Sequence, residues 1–153
     1  VQSPINAYML NLGLESLHVR MARHCENGQA VAEFLASHPK IAYVNYCGLP
    51  GDKYHAVAEK YLPNGSCGVV SFGVKGGRKA AEAFMGHLKT AAIETHVADA
   101  RTCCLHPASS THRQMNDEQL IAAGVQPDLV RMSCGLEDKN DLIHDIAQAL
   151  DQI

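Results

Sequence analysis

The stretch Pro127-Asp-Leu-Val-Arg-Met-Ser-Cys-Gly-Leu-Glu-Asp138 constrains the chain more than any other. Leu129, Val130 and Met132 form a short apolar run that suits a buried strand, and Arg131 sits inside it. Gly135 ends the run, and Glu137, Asp138 and Asp141 place acids where the next helix should begin. Burying a guanidinium without a partner is costly. Arg131 therefore either pairs with a carboxylate of the chain, lies at an exposed edge, or waits for a carboxylate on a ligand. Its planar fork suits the last role, because two parallel hydrogen bonds can grip one carboxylate.

Around this stretch the chain reads as alternating helices and strands. Ser3-Pro4 is a helix start, with a capping hydroxyl and then proline at the first helical position. Leu10, Leu14, Leu17, Met21, Gly28, Val31 and Leu35 form an apolar stripe at helical spacing, ending near Ser37 ahead of Pro39. Gly13 marks an expected kink or close-packing point. Strands are expected over 41–46, 67–74, 91–97, 102–105 and around Arg131. Helices are expected over 52–61, 78–88, 119–123 and 138–150. This order predicts an α/β sandwich: a mostly antiparallel sheet of four or five strands, with helices chiefly on one face.

Composition narrows the function classes. A chain of 153 residues with 46% hydrophobic content is enough for one domain's core. A net charge of −3 gives no footprint for nucleic acid or a membrane surface. No run of about 18 apolar residues and no signal-peptide pattern is present. Cys25, Cys47, Cys67, Cys103, Cys104 and Cys134 are scattered without a Cys-x-x-Cys pair, and read as free thiols in a reducing cytoplasm.

Several motifs compete for a chemical role. Gly73-Val-Lys-Gly-Gly-Arg78 lies between a strand and a helix, yet lacks both the P-loop and the dinucleotide pattern, so it reads as a turn. Gly68-Val-Val-Ser-Phe-Gly73 misses the nucleophile-elbow spacing by one residue, which leaves Ser71 an ordinary strand residue. Cys103, Cys104, His106 and His112 could be drawn as a zinc site, but adjacent cysteines suit a tetrahedral ion poorly, and no metal is expected.

Leu129-Val-Arg-Met-Ser-Cys-Gly-Leu-Glu-Asp138, with Leu142-Ile143 and Ala147-Gln-Ala-Leu150, resembles the C-terminal end of the pyridoxal-phosphate enzymes of cysteine and methionine metabolism. Gly13-Leu-Glu-Ser-Leu17, Arg20-Met-Ala-Arg-His24, Gly48-Leu-Pro50, Ser71-Phe-Gly73 and His106-Pro-Ala-Ser-Ser-Thr-His112 follow in family order. Tyr54-His55, Lys60-Tyr61-Leu62-Pro63 and Gly124-Val-Gln-Pro-Asp128 are most similar to the O-acetylhomoserine sulfhydrylase branch.

The resemblance implies that Arg131 holds the substrate's α-carboxylate. It also implies a lesser carboxylate contact from His96. His96-Val-Ala-Asp99 stands where the family usually has Ser-Leu-Gly-Asp or Asn-Val-Gly-Asp. The family's cofactor lysine and phosphate loop match nothing here, so the expectation is a C-terminal domain of a longer enzyme. Residues 1–37 would be its interdomain-type helix and residues 38–153 its small α/β domain, with no catalytic or cofactor-binding residue of its own. Pyridoxal phosphate would be bound by the whole enzyme and not by this part.

The implied reaction replaces the acetate of O-acetyl-L-homoserine with sulfide or a thiol in a homo-oligomeric enzyme. A γ-lyase or a cystathionine synthase is the alternative within the family. A non-catalytic α/β binding or dimerisation module is the alternative outside it.

Overall fold

A computed structural model describes the chain throughout, from Val1 to Ile153. Two helices open it, α1 (Pro4–Glu15) and α2 (Leu17–Ser37). Then follow β1 (Ile41–Asn45), α3 (His55–Tyr61), β2 (Val69–Val74), α4 (Gly77–His87), β3 (Ala92–Ile93) and β4 (Cys103–Leu105). A 3₁₀ turn (Pro107–Ser109), α5 (Asp117–Ala122), β5 (Leu129–Ser133) and α6 (Lys139–Asp151) complete the fold. The strands form one sheet in the order β1-β2-β5-β4-β3. Its pairs are antiparallel except β3 with β4. This is the expected mostly antiparallel α/β sandwich.

Strand periodicity divides the sheet cleanly. Val70, Phe72, Val74, Cys104, Val130 and Met132 point to one face and join a core cluster with residues of α2, α4 and α6. Phe72 meets Phe84 of α4 edge-on, with ring centroids 5.8 Å apart. The alternate residues Val69, Ser71, Leu105, Leu129 and Arg131 lie on the opposite face, which no helix of the core covers. On α6, Leu142, Ile146, Ala149 and Leu150 recur at helical spacing and are buried. Asp138 caps that helix by accepting a hydrogen bond from the Asn140 N–H.

The start of the chain departs from expectation in two ways. The helix breaks at Ser16, not at Gly13. Ser16 Oγ accepts a hydrogen bond from Arg20 Nε at 3.1 Å, and the Arg20 guanidinium also donates to the Gly13 carbonyl. These side-chain bonds compete with the helical ladder and disturb it there. The apolar stripe also divides. Gly28, Val31 and Leu35 are buried, whereas Leu10, Leu14 and Leu17 are exposed and contribute nothing to the core. The physical reason is length. Strands of five or six residues span roughly 20 Å, and two helices end to end run more than twice that.

Smaller differences have local causes. The second strand starts at Val69 because Cys67 takes a left-handed conformation (φ 71°). The strand expected over 91–97 shrinks to Ala92–Ile93, since the chain then leaves the sheet for a loop. Helix α5 begins two residues before Gln119, because Asn116 and Gln119 form a reciprocal capping box. Asp52 contributes through its carboxylate, which accepts from the Tyr46 and Tyr54 N–H groups ahead of α3. No helix is long and apolar enough to cross a membrane.

Candidate functional site

Arg131 is the middle residue of β5, paired across the sheet with Ser71 of β2 and Leu105 of β4. Both neighbours in the sheet are paired strands, so the backbone under the guanidinium is fixed from two sides. Its side chain rises from the face opposite the helices into a cleft of about 520 Å³. Val69, Ser71, Thr95, Thr111, His112 and Leu129 help to line this cleft. No carboxylate of the chain is among its walls or forms an ion pair with Arg131. The only partner of the guanidinium is the Thr95 carbonyl, which accepts from Nη2 at 2.8 Å. The remaining N–H groups of the fork have no protein acceptor. A half-buried cation with free donors, in a largely apolar hollow, is arranged to receive an anion.

A second hollow, of about 560 Å³ beside α3, has the opposite character. Glu26 and Glu59 line it together with His55, and it offers no lysine or arginine. Charge thus selects the Arg131 cleft as the one suited to a carboxylate.

The loop from Glu94 to Arg101 forms one margin of the Arg131 face. The Ala98 N–H donates to Ser133 Oγ at 3.0 Å, and the Leu136 N–H donates to the Ala100 carbonyl at 2.8 Å. A side chain on Gly135 would collide with the backbone at Ala100, Arg101 and Thr102, so glycine is what lets the loop close down here. Ala98 takes a left-handed conformation (φ 58°), which L residues with a Cβ adopt at a cost. That is a physical reason for a glycine to be usual at this position.

His96 lies on the same loop, exposed, and is not a wall of the Arg131 cleft. Its Nδ1 lies 3.1 Å from Glu94 Oε2 and 3.4 Å from Asp99 Oδ2. The Asp99 carboxyl is held below its usual range, first by the Arg101 N–H it accepts and then by His96. The two residues expected to hold substrate are therefore near one another in the fold through Thr95, but only Arg131 lines the cleft. Nε2 of His96 makes no hydrogen bond within the chain and remains available.

The group once drawn as a zinc site is dispersed. Cys104 points into the helix-covered core, where burial pushes its thiol far above the ordinary range. His106 has both nitrogens engaged, Nδ1 with Ser109 Oγ at 2.8 Å and Nε2 with the Pro127 carbonyl at 2.9 Å. His112 lines the cleft instead. Sequence reasoning set Ser71 aside as an ordinary strand residue and did not single out Thr111 or the Thr95 carbonyl. The signal for Ser71 was its parity in β2, but only the register makes it Arg131's neighbour.

The pattern of the family described as "Cys/Met metabolism PLP-dependent enzyme" matches residues 1–151. The chain belongs to this family. It is 44% identical over 152 residues to the O-acetyl-L-homoserine sulfhydrylase of Leptospira meyeri, covering 99% of this chain and 34% of that protein. It is 44% identical to the homocysteine synthase of Schizosaccharomyces pombe, covering 97% and 35%. It is 39% identical to an L-methionine gamma-lyase of Treponema denticola, covering 98% and 37%.

A crystal structure from Campylobacter jejuni, described as an O-acetylhomoserine (thiol)-lyase with N'-pyridoxyl-lysine-5'-monophosphate, superposes with a TM-score of 0.89 at 38% identity. That match covers 97% of this chain and 35% of the other. This family member spans about a third of the length of the curated relatives it matches.

The residues of this family member's cleft do not by themselves fit pyridoxal phosphate. No lysine lines it. Lys40 donates to the Leu150 and Ile153 carbonyls, Lys75 to the Pro39 carbonyl, and Lys139 to Glu26. Lys53 and Lys60 sit over tyrosine rings. The cleft supplies a cation, and no amine for a Schiff base.

Proposed function

We propose that this chain is the substrate-carboxylate-holding, C-terminal domain of a pyridoxal-phosphate enzyme of the O-acetylhomoserine sulfhydrylase type. The whole enzyme would replace the acetate of O-acetyl-L-homoserine with sulfide or a thiol, giving homocysteine or methionine. The observation that carries this reading is Arg131: a cation fixed at the centre of a sheet, without a carboxylate partner, at the mouth of an uncharged cleft. Similarity to sulfhydrylases over nearly the entire chain supports the reaction type. Coverage of about a third of those proteins supports the reading as one domain of a longer enzyme.

In this reading the chain's residues bind and orient. Arg131 grips the α-carboxylate in a bidentate manner and fixes the substrate's direction of entry. His96 adds one weaker hydrogen bond through Nε2. Ser71, Leu105 and Leu129 hold the base of the arginine and keep it from folding onto the sheet. Misplacing a bound substrate by about 1 Å can cost roughly a hundredfold in rate, so a rigid mount for the arginine matters. Six unpaired thiols suit a reducing cytoplasm as the site of action.

The test uses the full-length enzyme. Arg131→Ala should raise KM for O-acetylhomoserine at least about tenfold, the order expected when a charged hydrogen-bonding partner is lost. Cofactor absorbance should stay unchanged. Loss of cofactor binding in this variant would refute the carboxylate role. A second reading, γ-elimination, is favoured by the similarity to L-methionine gamma-lyases. Turnover of methionine or cystathionine in preference to O-acetylhomoserine with sulfide would select it.

A further inference from the structure

Three side chains of different chemistry meet where the 94–101 loop crosses the end of β4. Glu94 Oε2 lies 3.1 Å from His96 Nδ1 and 3.8 Å from Cys103 Sγ. All three donor atoms lie within 4.8 Å of one another. We propose that Glu94, His96 and Cys103 form a binding site for a borderline-soft divalent cation of the zinc type, with its fourth position open to water.

The distances carry this assignment. Zinc bonds of about 2.0–2.3 Å in a tetrahedron separate neighbouring ligands by roughly 3.3–3.7 Å. The two edges from Glu94 bracket that range, and the His96–Cys103 edge is within 4.8 Å, so small side-chain rotations would bring the three donors onto one ion. The donor set is one thiolate, one imidazole and one carboxylate, which suits zinc better than the hard cations.

Charge supports it as well. Glu94 and Asp99 both crowd the same imidazole nitrogen, and no lysine or arginine forms an ion pair with either. Arg101, two residues before Cys103, is the cation that acts on the thiol, against Glu94 and Asp99. Burial first, and those two carboxylates next, push the Cys103 thiol above its ordinary range. Binding there would release the thiol proton to solvent and leave a metal thiolate.

The fold disposes of the objection to adjacent cysteines. Cys103 and Cys104 lie on opposite faces of β4, so only Cys103 reaches the ion. Ligation through Nδ1 also fixes the proton of His96 on Nε2, which makes that nitrogen a hydrogen-bond donor. The site is separate from Arg131, and its test does not depend on catalysis by a whole enzyme.

The experiment titrates the reduced 153-residue chain, freed of metal, with Zn²⁺ against a chromophoric chelator, and separately with Co²⁺. One equivalent of Co²⁺ should produce a near-ultraviolet thiolate-to-metal band. Cys103→Ser should abolish the band and weaken Zn²⁺ at least about tenfold, and His96→Ala should weaken Zn²⁺ similarly. Cys25→Ser, at a thiol on α2, should keep both. Circular dichroism verifies that each variant is folded. An unfolded Cys103→Ser leaves the decision to Glu94→Gln and His96→Ala. No thiolate band in the parent chain, or one that survives Cys103→Ser, overturns the proposal. So does wild-type Zn²⁺ affinity in folded His96→Ala or Glu94→Gln.

Discussion

The Arg131 guanidinium donates to the Thr95 carbonyl at 2.8 Å and meets no carboxylate of its own chain. A structural ion pair would have been buried and reciprocal. This arginine is instead half-buried and mostly unspent, the condition expected of a group whose partner is a ligand.

Stability should therefore depend little on Arg131. Arg131→Ala removes one hydrogen bond to a backbone carbonyl at a partly solvated position. Its cost should stay below about 1.5 kcal/mol. Urea denaturation of the chain measures this from the midpoint at constant slope. A loss of about 3 kcal/mol or more would show that the arginine is structural.

Asp145 supplies the contrasting case. It is 4% exposed, and its carboxylate accepts from the N–H groups of Lys89, Thr90 and Ala91 at 2.8, 2.9 and 3.0 Å. Gln148 Nε2 adds a fourth bond at 3.1 Å. These bonds lock α6 to the segment between α4 and β3. Asp145→Ala would orphan three backbone donors at once and should destabilise by about 3–5 kcal/mol. Asp145→Asn keeps one acceptor oxygen and should lose less. The same urea experiment ranks the two.

Ala98 should be improvable. Its left-handed conformation costs roughly 1–2 kcal/mol for a residue with a Cβ, and glycine gives some of that back as unfolded-chain entropy. Ala98→Gly should therefore stabilise by about 0.5–1 kcal/mol, seen as a higher melting temperature. The Ala98 N–H bond to Ser133 would be retained. A lower melting temperature would mean that the methyl group contributes packing that outweighs the strain.

Alkaline conditions should weaken the fold. Burial pushes the Cys134 thiol up to about 12, and burial first raises the Tyr46 phenol, whose hydroxyl donates to the Cys67 carbonyl at 2.8 Å. Both groups are favoured in the protonated form by folding. Their contribution is complete below the unfolded values, about 8.5 for cysteine and about 10 for tyrosine, and is lost as pH rises towards the folded ones. Each can remove up to about 1.4 kcal/mol per pH unit within that window. Urea midpoints at pH 7, 9 and 10.5 should fall, most steeply over the last interval. Tyr46→Phe should flatten that interval.

Periodicity made much of the fold legible. The apolar content of 67–74, the capping serine and proline at Ser3-Pro4, and the acids at Glu137, Asp138 and Asp141 ahead of α6 all have local causes, so local reading found them. What escaped depended on distant contacts. The exposure of Leu10 and Leu14 follows from the size of the sheet and not from their own helix. The short β3 reflects a loop that is held by Ser133 and Gly135, far away in sequence. Arg131 was recognisable as an anomaly in an apolar run. That its neighbours would be Ser71, Thr95 and His112 needed the register and the loop together. The grouping of Glu94 with Cys103 was equally hidden, because a nine-residue excursion separates them.

The alternation along β5 has an evolutionary meaning. Even-numbered positions 130 and 132 answer to the core, and odd-numbered positions 129 and 131 answer to the cleft. Substitutions on one parity leave the other untouched, so ligand preference can drift while the packing stays constant. An insertion or deletion of one residue would exchange the two sets, seating a guanidinium among Phe72 and Phe84 and turning Met132 to the cleft. Point substitution is thus a permitted route to a new specificity on this strand, and a change in its length is not.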